Sequence, residues 1–231
     1  MRVSDARRRG RTVWLRFNSN RSKRRRQVGK NVVVVEALAA YLPAQRGALT
    51  PAVIRRLAGR TGFAADIIFR KQLRYMLNER PFDADTVADA LALRAACGLT
   101  DAQVAEVLAE AAARTFKKTG LLMRRPRGMT VEGLARKAQG RALFSKLLFL
   151  AELEGMLPSA GAREASVAAL LSAFGATTED ADALRIPSLT ALDADALERL
   201  WAAEDAGAPP AAGEAPAVEE KFDDSAADDD A

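Results

Sequence analysis

The residues best suited to chemistry form a basic block: Arg114, Lys117, Lys118, Arg124, Arg125 and Arg127, followed by Arg136, Lys137 and Arg141. No acid interrupts it between Arg114 and Arg127, and Leu121-Leu122-Met123 lie inside it. Clustered cations of this kind suit an RNA backbone, an acidic protein surface or an anionic headgroup layer. Apolar residues exposed among them mark an interface. The competing reading is a solvated helix edge whose long side chains cover apolar surface.

Little else in the chain could perform a reaction. There is no histidine, so the commonest general base and the usual zinc ligand are both missing. The single cysteine, Cys97, permits neither an internal disulfide nor a multi-cysteine metal site. It stands beside Gly98 and reads as a small buried apolar residue. The carboxylate pairs Glu152 with Glu154 and Glu179 with Asp180 lack the convergent pocket and partner base that acid–base catalysis requires. Neither a phosphate-binding glycine loop nor a dinucleotide fingerprint is present, and Gly59-Arg-Thr-Gly62 reads only as a helix-breaking turn. The expectation is a non-enzymatic protein with no cofactor, no metal and no small-molecule substrate.

The elements that must carry the block are helices. Thr50-Pro51 starts one, with a hydroxyl cap and proline where its missing N–H costs nothing, ending at Gly59. The next spans Phe63 to Asn78 and stops before Pro81. Asp83 or Asp85 caps a helix that closes at Gly98. Thr100 with Gln103 forms a capping box opening Asp101 to Phe116, and Gly120 ends that segment. Thr130 begins a long helix through Glu154. Shorter helices are expected at Arg163–Gly175, Glu179–Leu184 and Asp193–Ala203. Before them, Val32–Leu42 reads as one helix up to Pro43. Leu99–Ala109 could be mistaken for a DNA-reading helix-turn-helix, but Asp101–Phe116 has no break for the turn.

One motif recurs. Leu49-Thr50-Pro51-Ala52 echoes Leu99-Thr100-Asp101-Ala102, with a looser copy at Ala176-Thr177-Thr178-Glu179. Each places a leucine and a hydroxyl cap ahead of an apolar stripe, and the spacing of about fifty residues suits a two-helix solenoid unit. The fold class is therefore all-α, either irregular armadillo-like helical repeats or a multi-helix bundle. Its domain is residues 31–202, on the order of 170 residues, enough to bury about 70% of the surface the unfolded chain exposes.

The two ends differ sharply. Residues 1–30 hold twelve Lys and Arg against one acid, Asp5, while residues 203–231 hold ten acids against one base, Lys221. Four readings of the arm stay open: an organelle transit peptide, a nucleic-acid arm with Trp14 and Phe17 as stacking faces, a nuclear signal at Arg21–Arg26, or a solvated terminus. The tail is too rich in alanine, proline and acid to pay for its own ordering, so it is expected to be disordered. No apolar run approaches the roughly 18–20 residues that span a bilayer. The longest, Ala142–Leu157, is broken by Ser145, Lys146, Glu152 and Glu154. No apolar core of a secretory signal occurs in the first thirty residues.

Several segments carry a resemblance. Phe69-Arg-Lys-Gln-Leu-Arg-Tyr-Met-Leu-Asn-Glu-Arg-Pro-Phe82, Asp85–Leu91, Asp101–Leu108, Gly133–Phe144 and Thr178–Ile186 together resemble a family of plant and algal chloroplast proteins with an armadillo-like helical domain. The repeats are also loosely similar in style to those of the chloroplast inner-envelope import component. The resemblance implies a helical scaffold or adaptor of the plastid stroma that binds a protein partner, with the arm as a transit peptide or its remnant. The arm is short and serine-poor for that role. The resemblance carries no catalytic residue. A mitochondrial or nuclear location and an RNA-associated factor, linked to nucleoid or ribosome, are the alternatives.

Overall fold

The computed structural model describes residues 28–120, 130–186 and 189. The expected helix at Asp193–Ala203, most of the basic arm and the acidic tail lie outside them. The described residues contain helices and no strand, as the capping pattern predicts. In chain order they are α1 (28–39), a 3₁₀ turn (Arg46–Ala48), α2 (Pro51–Thr61), α3 (Ala65–Glu79), α4 (Ala84–Cys97), α5 (Asp101–Thr119), α6 (Val131–Glu152), α7 (Ala160–Phe174) and α8 (Thr178–Leu184).

Local chemistry fixes most boundaries. The Asp83 carboxylate accepts the Thr86 N–H at 2.8 Å, so Asp83 rather than Asp85 is the cap of α4. That bond, ahead of every other influence, holds the Asp83 carboxyl below its ordinary 3.8. Its capping contribution is therefore present at neutral pH and fades only as the pH falls beneath that range. Thr100 and Gln103 form the expected capping box on α5, and Thr177 with Asp180 repeats it on α8. The α4 and α7 helices leave through glycines in the left-handed region, Gly98 and Gly175, where a side chain would be strained.

Three expectations need correction. Thr50 precedes α2, but its hydroxyl caps nothing; the Val53 N–H donates instead to the Thr50 carbonyl at 3.0 Å. The helix passes through Gly59 and ends at Gly62, whose φ of +72° takes the chain out. One glycine in a helix costs about 1 kcal/mol, and burial of Leu57 and Thr61 on either side of Gly59 outweighs it. The repeat also contains three helices where a pair was expected. α2, α3 and α4 pack mutually, α5, α6 and α7 pack mutually, and α8 adds to α6.

The two triads share one core through α3, which touches α2 and α4 of the first triad and α5 and α6 of the second. Its buried residues run Ile68, Phe69, Gln72, Leu73, Met76, Leu77, two adjacent rows at helical spacing. In the second triad Phe144 and Phe174 meet edge to face, with centroids 5.1 Å apart. Between triads, Phe82 packs edge-on against Phe149 at 5.8 Å, and the Lys146 ammonium donates to the Leu77 carbonyl at 2.9 Å.

Polar junctions fix the helix ends. The fully buried Asp89 carboxylate lies between two guanidiniums, Arg46 from the 3₁₀ turn and Arg80 at 2.5 Å from the α3–α4 turn. Arg46 also reaches Asp85 at 2.8 Å. Arg94 pairs with Asp101 at 2.7 Å, whose other oxygen accepts the Ser159 N–H at 3.0 Å, so α4, α5 and the start of α7 are pinned together.

Removing one member of a buried ion pair leaves the others desolvated and is strongly destabilising. Asp89→Asn is expected to lower the unfolding free energy in urea by on the order of 3 kcal/mol. Asp85→Asn, at an exposed carboxylate, is expected to change it by less than about 1 kcal/mol. Equal effects of the two substitutions would contradict this assignment.

Candidate interaction surface

The final turns of α5 hold the first part of the basic block. Thr115 and Thr119 donate their hydroxyls to the carbonyls four residues back, Ala111 at 2.8 Å and Thr115 at 2.9 Å, carrying the helix a turn beyond Phe116. Arg114, Lys117 and Lys118 then recur at the i, i+3, i+4 spacing of one helix face. Lys117 and Lys118 are exposed and Arg114 is half-buried. Cations at a helix C-terminus also complement the partial negative charge of the unpaired carbonyls. Phe116, beside them, keeps 36% of its surface in solvent.

The second part lies on α6, where the Thr130 hydroxyl accepts the Gly133 N–H at 3.2 Å. Arg136 is exposed and pairs with Glu132 one turn back at 3.3 Å, an exposed contact worth only about 0.3–0.5 kcal/mol. Arg141 is half-buried. Lys137 departs from the expected surface block, because only 2% of it is exposed. It falls on the inward stripe with Gly140, Phe144, Leu148 and Ala151, spaced by three or four residues. The 3.6-residue period from Phe144 back to Lys137 was the available signal, outweighed by the run of neighbouring cations.

Beside these charges α6 shows apolar surface. Val131 is 84% and Leu134 38% exposed, and Ala135 is exposed on the same face. Arg124, Arg125 and Arg127, with Leu121-Leu122-Met123, lie outside the described residues.

The remaining sequence candidates do not assemble into a reaction centre. Glu152 receives the Arg185 guanidinium at 2.8 Å, whereas Glu154 is exposed. Asp180 is occupied by the Thr177 N–H at 2.8 Å. Burial, and secondarily the charge of Asp66, pushes the Cys97 thiol up to about 12, so it stays protonated and weakly nucleophilic at neutral pH. Among the described residues no group of three or more His, Cys, Asp or Glu could hold a metal ion. No helix among them is long and apolar enough to cross a membrane. The Arg46–Asp89–Arg80 cluster was not foreseen, since its partners meet only through the tertiary fold.

With this geometry described, comparison with known proteins agrees on the class. The profile of the family described as Armadillo-like helical domain-containing protein 5 matches residues 61–152, from the last residue of α2 to the last of α6. The chain is similar to that family over these residues and carries an armadillo-like helical domain. No curated protein matches the chain, and no solved structure matches it.

Two measurements check the placements. Iodoacetamide at pH 8 should alkylate Cys97 far more slowly in the folded protein than in urea, because the native thiol is protonated and half-buried. Similar rates would contradict this. Lys137→Glu should lower the thermal midpoint by several degrees, whereas Lys117→Gln with Lys118→Gln, which only removes two exposed charges, should lower it much less. The reverse order would place Lys137 at the surface.

Proposed function

We propose that this protein is a non-enzymatic scaffold or adaptor that holds a protein partner against the end of α5 and the start of α6. The observation that carries the reading is the combination found there. Apolar groups, Phe116, Val131 and Leu134, are exposed close in sequence to Lys117, Lys118 and Arg136. Protein interfaces use buried apolar anchors for affinity and charged rims for orientation. The partner's complementary surface is apolar at its centre and acidic at its edge. The armadillo-like domain supports a binding role by supplying a rigid helical platform.

The composition of residues 1–30, twelve cations to one acid, supports delivery to a plastid, where the arm would act in targeting.

Pull-down with the full chain from plastid extract at physiological salt should recover a defined protein. Lys117→Glu with Lys118→Glu, or Leu134→Asp, should reduce that recovery at least tenfold while the circular dichroism spectrum stays unchanged. Recovery no better than control, or recovery indifferent to these substitutions, would count decisively against the proposal.

A further inference from the structure

The surface of α2 differs from every other charged region of the described fold. Its solvent-facing residues are Pro51, Ala52, Arg55, Arg56, Gly59 and Arg60, while Ile54, Leu57 and Thr61 are buried. At 3.6 residues per turn, Arg55 lies on one side of this face and Arg56 with Arg60 on the other, about 140° of arc apart at most. Ala52 and Gly59 fall between them. A Cβ placed on Gly59 would meet nothing within 4 Å, so the floor between the arginines is open. The α2 sequence contains no acid.

Several arginines elsewhere are held by carboxylates: Arg46 and Arg80 by Asp89, Arg94 by Asp101, Arg185 by Glu152 and Asp182. Arg55, Arg56 and Arg60 form no ion pair among the described residues. Lys30 adds a cation where α2 ends. Its ammonium lies over the Phe63 ring at 5.4 Å and 3.7 Å from where a Cβ on Gly62 would stand.

We propose that the exposed face of α2 is a binding site for the phosphodiester backbone of RNA, recognised by charge and not by base sequence. Three features select this partner. Guanidiniums present planar paired donors that match phosphate oxygens. Arginines on both sides of a floor made of alanine and glycine let a sugar–phosphate chain approach the helix backbone closely. The face offers no large apolar anchor, which a protein partner would need for affinity. What remains is electrostatic attraction and counterion release, the dominant source of affinity for a nucleic-acid backbone. The site is separate from the α5–α6 surface, so either can fail without the other.

The test uses the full chain and a fluorescein-labelled oligouridine, with binding followed by anisotropy across a potassium chloride series. Affinity should fall steeply with salt. Arg55→Gln, Arg56→Gln and Arg60→Gln combined should weaken binding at least tenfold at low salt. They should also reduce the salt slope by about 2, since each phosphate neutralised on a single strand adds about 0.7. Oligouridine should also protect Arg55, Arg56 and Arg60 from phenylglyoxal, read by peptide mass spectrometry. Unchanged slope and affinity in the triple variant would overturn the proposal by assigning all binding to other cations. Polyglutamate, or phosphatidylglycerol vesicles, binding as tightly as oligouridine through the same three arginines would overturn it in favour of an acidic protein or a membrane surface.

Discussion

The fold depends on α3 packing against both triads at once. A helix at the edge of an array needs one apolar stripe, but α3 must satisfy one triad through α2 and α4 and the other through α5 and α6. Its two rows of buried side chains, Ile68–Gln72–Met76 and Phe69–Leu73–Leu77, meet that demand. The cost is visible at Gln72, only 2% exposed, whose carbonyl oxygen accepts no hydrogen bond among the described residues. Such an orphaned acceptor costs on the order of 1–3 kcal/mol. Dense apolar contact around it offsets that cost. The Lys146 ammonium, reaching the Leu77 carbonyl and standing 5.9 Å from the Phe82 ring centroid, joins the end of α3 to α6 with a charge-assisted contact.

This arrangement decides where charge is free to act. The helix junctions occupy several of the fixed charges: Asp89 takes two arginines, and Asp101 takes Arg94 and the Ser159 N–H. What is left for recognition lies at the margins, on the outer face of α2 and around the α5 and α6 termini. The two margins differ in kind. The α2 face is cationic with a floor of small residues, whereas the α5–α6 ends combine cations with exposed Phe116, Val131 and Leu134. The physics of nucleic-acid backbones fits the first and that of protein interfaces fits the second.

Helix ends were the most legible feature of the chain, because caps are local chemistry. Asp83, Thr100, Thr130 and Gly98 act within a few residues of themselves, and each does so in the structure. Thr50 shows the limit of that logic, since a backbone carbonyl can satisfy the same N–H as a hydroxyl. Gly59 shows another, because burial on both sides overrides a weak local preference. Three helices per repeat were already present in the separate segments at Thr50–Gly59, Phe63–Asn78 and Asp83–Gly98, but the spacing of about fifty residues matches a two-helix unit and suggested a pair. Treating consecutive cations as one surface misplaces Lys137, which the helical period sets with Phe144. The Asp89 cluster was beyond reach, because Arg46 and Asp89 are 43 residues apart and meet only after the triad closes. The α2 face was written in the spacing of Arg55, Arg56 and Arg60, but only the burial of Ile54 and Leu57 shows that this side meets solvent.

That both triads form one cooperative unit through α3 is best examined by native-state hydrogen exchange at increasing denaturant, residue by residue. The shared core predicts that slow amides of α3, between Phe69 and Leu77, converge on the same unfolding curve as those of α5, between Val104 and Ala112, and of α6, between Phe144 and Ala151. Exchange of α2–α4 through an opening at distinctly lower denaturant, with α5–α7 still protected, would contradict it.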